Sequence, residues 1–398
     1  MRFVSLFAGA GGLDLGLECA GWRCEYASDL DPRAVETLEA NRGKRTNGVK
    51  ALQDAIVEQA DVRTLTGRQI LDVTGRRRGD FPLLAGGPPC QSWSSAGHQL
   101  GFDDPRGRLF EDFIRIAQQL DVRWLLFENV RGLVTARGSD GTPGSALKAI
   151  RGALLNAGWH TQLDLLNAAD YGVPQRRVRL VLIGYRHGDP PPLPTPTFAE
   201  HADMFRRKWR TIGECLSQIR APSEAEIIRP TGKLATELSS LSPGTGVKSP
   251  GKKESTRPGG HWGYKQGAFV ADLAKPARTI TANAQQDWII DPSLGVRRLS
   301  PRECAAIQSF PKCWTFAGSR SDQYRLIGNA VPPLLAKEVG AALLDHVSRP
   351  LLVDAPRVAD AVPLPPKLEA AIRYTQREEA RNGESRRAAA PRRRRKVA

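Results

Sequence analysis

At 398 residues and 40% hydrophobic content, the chain is long enough to bury one large core and a smaller second one. Lys and Arg outnumber Asp and Glu by 58 to 42, a net charge of +16 for which nucleic acid is the natural partner, although a membrane surface or simple solubility would use the same balance. No apolar run approaches the ~18 residues that span a bilayer, and a strand pattern begins at Arg2, so neither a membrane span nor a secretory leader is expected.

The cysteines (Cys19, Cys24, Cys90, Cys215, Cys304, Cys313) contain no Cys-x-x-Cys pair. This argues against a zinc ribbon and for free thiols in a reducing cytoplasm, and no metal site is expected.

Phe3 to Phe7 reads as a first strand running into Ala8-Gly9-Ala10-Gly11-Gly12, with a helix from Leu13 to Ala20. A glycine-rich turn between strand and helix lets backbone approach a nucleotide or adenosyl ligand. The dinucleotide pattern Gly-x-Gly-x-x-Gly fails at Asp14, and no Walker lysine follows, which argues against NAD, FAD and ATP. Cys24 to Ser28 reads as a second strand. Asp29 at its end suits ribose hydroxyls, while Asp31 before Pro32 suits the N-cap of a helix to Asn41. Asp61-Val62 could close a third strand and face an adenine amino group, or Asp61 could simply be solvated.

Phe81 to Ala85 is a short apolar strand that delivers Gly86-Gly87-Pro88-Pro89-Cys90-Gln91. Cys90 therefore stands where open α/β sheets place reactive groups, its approach fixed by two prolines. A helix is expected over 106–119. The strand 123–127 then ends in Glu128-Asn129-Val130, and burying that carboxyl would favour its protonated form. Helix 145–157 and strands 161–166 and 179–183 follow. Arg177 and Arg179, two apart, could bind a phosphate or carbonyl oxygen and favour a thiolate, or could simply mark a basic edge strand.

Prolines from Pro190 to Pro196 mark a linker, and 195–290 loses the β/α alternation. Its mixture of basic and aromatic residues, such as Arg257 and Trp262, is what a DNA-facing surface uses. Ser300 and Glu303 fit a capping box, and an apolar helix runs to Val347. Beyond Pro350 the composition suggests a disordered basic tail whose Arg386, Arg387 and Arg392 to Lys396 neutralise phosphates.

Six blocks in order resemble the DNA cytosine-5 methyltransferase family. They are Phe7 to Gly12, Pro88-Pro89-Cys90-Gln91, Glu128-Asn129-Val130, Gln175 to Arg179, Arg298 to Glu303, and Gly328-Asn329-Ala330-Val331. The resemblance implies an α/β fold, a doubly wound Rossmann-like sheet with a smaller, irregular target-recognition domain. The expected division is 1–190 catalytic and cofactor-binding, 195–290 target recognition, 296–348 returning to the catalytic domain, and 350–398 tail. It implies S-adenosyl-L-methionine as cofactor, with S-adenosyl-L-homocysteine as product. Phe7, Gly9, Gly11, Gly12, Leu13, Asp29, Leu30, Asp61, Val62, Pro89, Leu109, Asn329 and Ala330 would form its site. The family often has Glu where this chain has Asp29, and Ser where it has Ala330. Cys90 would attack carbon 6 of a flipped cytosine, Glu128 would protonate ring nitrogen 3, and Arg177 and Arg179 would assist.

Gln91, Ser94 and Arg106, in the loop after Cys90 expected to act as a lid, are assigned to DNA. So are Arg257, Arg278, Asn283, Gln285 and Gln286, with amides pairing with adenine edges and arginines with guanine. The expected partner is double-stranded DNA, met by a cytoplasmic monomer that is either the modification enzyme beside a separate restriction endonuclease or an orphan methyltransferase. Two alternatives stay open: the RNA-methylating branch of the family, and a DNA-binding protein that kept the fold without catalysis.

Overall fold

Apolar, fully buried Phe3, Val4 and Leu6 put β1 (Arg2–Leu6) in the middle of a seven-stranded sheet. The computed structural model describes residues 1–89, 109–248, 256–257, 261–262, 267–349 and 362–389. The other main-sheet strands are β2 (Arg23–Asp29), β3 (Ile56–Gln59), β4 (Leu83–Gly86), β5 (Trp124–Val130), β6 (His160–Asn167) and β7 (Val178–Tyr185), in the order β3-β2-β1-β4-β5-β7-β6. Neighbours from β3 to β5 are parallel, and β7 is antiparallel to both β5 and β6. The order reverses between β1 and β4, which opens a crevice at the strands' carboxyl ends.

Alternation along the strands builds a core on each face. Val4, Leu84, Leu125 and Phe127 pack with Phe113, Ile116 and Leu147 on one side. Phe3, Leu83, Leu126 and Val181 pack with Leu17, Leu335 and Leu343 on the other. The helices are α1 (Gly12–Cys19), α2 (Pro32–Asn41), α3 (Gly67–Thr74), α4 (Leu109–Leu120) and α5 (Ser145–Asn156). Asp31 caps α2 as expected, its side chain accepting from the Arg33 amide at 3.0 Å with Pro32 in the first turn.

The following region carries α6 (Ile212–Leu216), α7 (Gly232–Ser239) and a second, four-stranded sheet of β8 (Thr245–Gly246), β9 (Phe269–Val270), β10 (Trp288–Asp291) and β11 (Gly295–Arg298). β10 and β11 form a hairpin, so pairing carries this sheet past the expected border at residue 290, to Arg298. α8 (Pro301–Ile307) opens on the predicted Ser300–Glu303 capping box. Glu303 also receives both Arg297 terminal nitrogens, at 2.7 and 2.9 Å, in a buried ion pair. α9 (Arg320–Asn329) follows, and α10 (Pro333–Val347) returns to lie along α1, where the Trp22 indole donates to the Gly340 carbonyl at 2.9 Å.

The expectation of a wholly disordered tail is overturned. α11 (Pro366–Ala389) is a 24-residue helix. Leu364, Leu368 and Ile372, each four apart, form one apolar stripe, and Leu368 is fully buried among Leu133, Val134, Leu147 and their neighbours. The segment is too polar to make a core of its own, but it completes one that already exists.

Candidate active site

A cleft of about 470 Å³ opens where β1, β2, β4 and β5 end. At one side, the turn after β1 takes Phe7 and Gly9 into the left-handed region, both with φ of 56°. For a bulky residue such as Phe7 that conformation is uncommon and strained, which is usual at functional sites. Asp29 fixes the turn: one oxygen accepts the Gly9 amide at 2.8 Å, the other the Asp31 amide at 2.9 Å. Each carboxylate oxygen keeps a further lone pair for a ligand hydroxyl, and burial raises the Asp29 pKa. Leu30 stands 58% exposed on the wall, an apolar surface offered to a flat ligand. Asp61 also lines the cleft, bound by Arg63 through its side chain at 2.9 Å and held below its usual pKa by that pairing.

Of the residues expected at the cofactor site, Phe7, Gly9, Leu13, Asp29, Leu30, Asp61, Val62, Pro89, Leu109, Asn329 and Ala330 all line this cleft. Gly11 and Gly12, expected there too, are closely packed by their neighbours. A Cβ on Gly12 would sit 2.1 Å from the Val331 carbonyl oxygen, and one on Gly11, at φ of 78°, would sit 2.8 Å from Leu38.

At the other side, β4 and β5 run in parallel register, with Gly86 beside Phe127, so Gly87 faces Glu128. A Cβ on Gly87 would lie 3.3 Å from the Glu128 carboxylate. Glu128 is paired with the Arg179 Nε at 3.0 Å. Burial raises the Glu128 pKa, and the charges of Arg179 and Arg177 partly oppose the rise. The result is a carboxyl able to hold or give a proton, beside a fixed guanidinium. Pro88 and Pro89 border the same space. Cys90, Gln91, Ser94 and Arg106, with the expected lid, lie outside the described residues.

Arg177, expected to assist Glu128, also lines the cleft. It is 1% exposed, and its terminal nitrogens donate to the carbonyls of Ile280 at 2.9 Å, Gly328 at 2.7 Å and Ala330 at 2.9 Å. Residue 177 just precedes β7, and its bonds tie the small domain and the end of α9 to the cleft. Among the DNA-reading candidates, Arg278 is paired with Asp287 (Nε–Oδ2 3.0 Å) and stacked 3.9 Å over the Phe269 ring. Gln286 is buried, donating to Thr281 O at 2.8 Å. Both help to hold the loop through these bonds. Asn283 and Gln285 are exposed, with Asn283 Oδ1 accepting the Gln285 amide at 2.9 Å. Arg257 falls on a two-residue ribbon paired with His261–Trp262.

Three residues escaped the sequence reading. Arg325 of α9 pairs with Asp31 across the cleft wall. Asn129 donates to the Pro88 carbonyl at 3.0 Å and so ties β5 to the chain entering Cys90. Buried Gln175 receives the Ile280 amide at 2.8 Å and donates to Gln308 at 2.8 Å. Asn129 and Gln175 stood in quoted blocks, but their partners are 41 to 133 residues away, and no local pattern names them.

Residues 1–345 match the family described as C-5 cytosine-specific DNA methylase. The chain is 31% identical over 353 residues to the Type II methyltransferase M1.HphI of Haemophilus parahaemolyticus, covering 86% of this chain and 87% of that protein. It is 32% identical over 352 residues to M.Sau96I of Staphylococcus aureus, covering 86% and 75%. Among solved structures, the S. pombe Dnmt2 methyltransferase has the same fold, with a TM-score of 0.60 at 16% identity over 88% of this chain and 99% of that one. The Entamoeba histolytica methyltransferase EhMeth likewise gives 0.60 at 15% identity over 88% and 99%. With its parallel sheet, its cleft at the carboxyl strand ends and this match across the sequence, the chain belongs to the C-5 cytosine-specific DNA methylase family and is a DNA cytosine-5 methyltransferase.

Proposed function

We propose that this enzyme methylates carbon 5 of a cytosine flipped out of a specific double-stranded DNA sequence, using S-adenosyl-L-methionine and a covalent Cys90 adduct. The observation that carries the reading is a single cleft with two chemistries. Asp29 and Leu30 stand at one end, Glu128 and Arg179 at the other, with Pro88 and Pro89, which precede Cys90 in sequence, on the same wall. The donor fits the first end. Asp29 retains lone pairs for ribose hydroxyls, Leu30 and Val62 give apolar surface for adenine, and Asp61 can face its amino group. Bound there, it supplies the electrophilic methyl group that an activated carbon 5 receives.

The remaining work falls to the chain's own residues. Carbon 5 of cytosine is a poor nucleophile until the Cys90 thiolate forms a bond to carbon 6 and the ring electrons move toward carbon 5. Glu128 delivers a proton to ring nitrogen 3, and Arg179 beside it donates to the ring carbonyl, so charge does not accumulate on the base. After methylation, loss of the carbon 5 proton to water expels Cys90. A free thiol with pKa ~8.5 needs cationic neighbours to ionise, a part suited to Arg179. The target atoms are closed to a protein while the base is stacked, which requires flipping. The enzyme would act as a monomer, as the modification partner of a separate restriction endonuclease.

Incubation with the donor and mixed-sequence DNA, followed by mapping of methylated cytosines, tests the activity and finds the site. A tRNA arm tests the RNA alternative. Cys90→Ala should abolish transfer while retaining DNA binding, and 5-fluorocytosine at the target should trap a covalent complex with the wild type. Multiple turnover by the variant would refute the covalent route.

A further inference from the structure

α11 lies beyond the residues that match the family, yet it is bolted to the catalytic domain. At its start, Lys367 pairs with Asp164 of β6 at 2.7 Å. Asp164 is level with Val181 and, across β7, with Glu128. Farther along, Ile372 packs against Gly144, Gln376 donates to the Pro143 carbonyl at 3.1 Å, and Glu379 pairs with Arg137. These contacts belong to the loop that leaves the carboxyl end of β5 just after Glu128. The helix therefore runs outward from the level of the catalytic carboxyl, toward the side on which the cleft opens.

Its outer surface carries Arg373, Arg377 and Arg381, spaced by four and so aligned about 6 Å apart along one flank. The Arg373 and Arg381 side chains are 57% and 81% exposed. Their pairs with Glu369 at 3.3 Å and Glu378 at 3.8 Å are of the exposed kind that contributes little and yields readily to another anion. Beyond residue 381 the sequence has seven basic residues and one acidic residue, Glu384.

We infer that α11 is a docked DNA arm, which lays this arginine row on the phosphate backbone flanking the methylated site. The inference rests on the proposed duplex substrate. Such contacts read no bases; they add affinity and salt dependence on duplexes long enough to reach the arm.

The test uses the full chain with S-adenosyl-L-homocysteine and two duplexes bearing the same target, about one and about three helical turns long. Wild-type enzyme should bind the longer one more tightly and with a steeper salt slope across roughly 50–200 mM. Arg373→Gln, Arg377→Gln and Arg381→Gln together leave the docked face intact, which the unfolding midpoint verifies. They should remove most of the advantage of the longer duplex and lower its salt slope by about 2–3. An unaltered slope in the triple variant, or an equal drop on the short duplex, would overturn the arm. If wild-type enzyme methylates the target while the slopes are unaltered, only the arm is refuted. If wild-type enzyme methylates neither duplex, the substrate reading fails and the arm fails with it.

Discussion

Asp29 and Glu128 are both carboxyls at strand ends in one cleft, and their surroundings separate their tasks. Asp29 spends one lone pair of each oxygen on the amides of Gly9 and Asp31, so it is oriented to accept hydroxyls. Glu128 has a raised pKa from burial and sits against Arg179, an environment for a proton that comes and goes. Asp29→Ala should therefore raise the Michaelis constant for S-adenosyl-L-methionine more than it lowers the saturated rate. Glu128→Gln, which keeps a hydrogen bond but cannot protonate the ring, should lower the saturated rate by about 100-fold or more with little change in DNA affinity. Steady-state kinetics with binding isotherms check both, and exchanged outcomes would exchange the roles.

Two further carboxyls lie under the same turn. Burial pushes Asp14 to about 6 and Glu18 to about 8. A raised folded-state pKa means that the native state holds protons which the unfolded chain has released. The stability these groups contribute is thus fully present below their ordinary values of 3.8 and 4.5 and is lost as pH rises through about 6 and about 8. Glu18→Gln keeps an acceptor for the Leu52 amide, bonded at 2.8 Å in the native protein. It should flatten the decline in melting temperature between those pH values.

At the scale of elements, α11 shows how little apolar surface a helix needs when its partner core is already formed. Leu368 enters a cluster built by β1, β4, β5, α4 and α5, so it stabilises residues remote in sequence. Leu368→Ala should cost about 2–5 kcal/mol, the range for a buried leucine, measurable in denaturant unfolding. An effect below about 1 kcal/mol would mean that the helix rests loosely on the domain. Gly12 makes a parallel point at the head of α1: its closeness to Val331 joins the nucleotide turn to the segment between α9 and α10. The first and last blocks of the family pattern meet there.

For the molecule as a whole, the small domain is not hung on a simple linker. The Arg176 amide donates to Ala277 O and the Ala277 amide to Pro174 O, at 2.8 and 2.9 Å, while Arg177 and Gln175 hold residue 280. Its hairpin closes only at Arg298, and Arg297 is buried against Glu303 of α8. A swap of 195–290 from a relative of different specificity would cut inside β10, whereas a swap of 195–298 would keep the hairpin whole. The longer chimera should fold with the higher melting temperature and take the donor's target sequence, read by mapping methylated cytosines. An unchanged target would remove base choice from this domain.

The β/α alternation, the Asp31 cap, the capping box at Ser300 and most of the cleft wall were legible in the sequence, because each depends on neighbours within a few residues or on a motif that keeps its order. Period and capping are local physics, and a carboxylate ending an apolar strand announces its own perturbed environment. What a side chain does with its free end is not local. Arg177, Arg278 and Gln286 bond carbonyls and a carboxylate that only the fold brings to them. Asn129 finds Pro88, Arg325 finds Asp31, and α11 finds a core only after the sheet has assembled. Residue types and short spacings determine which chemistry is on offer. Long-range packing decides which groups are consumed in holding the cleft and which remain to act in it.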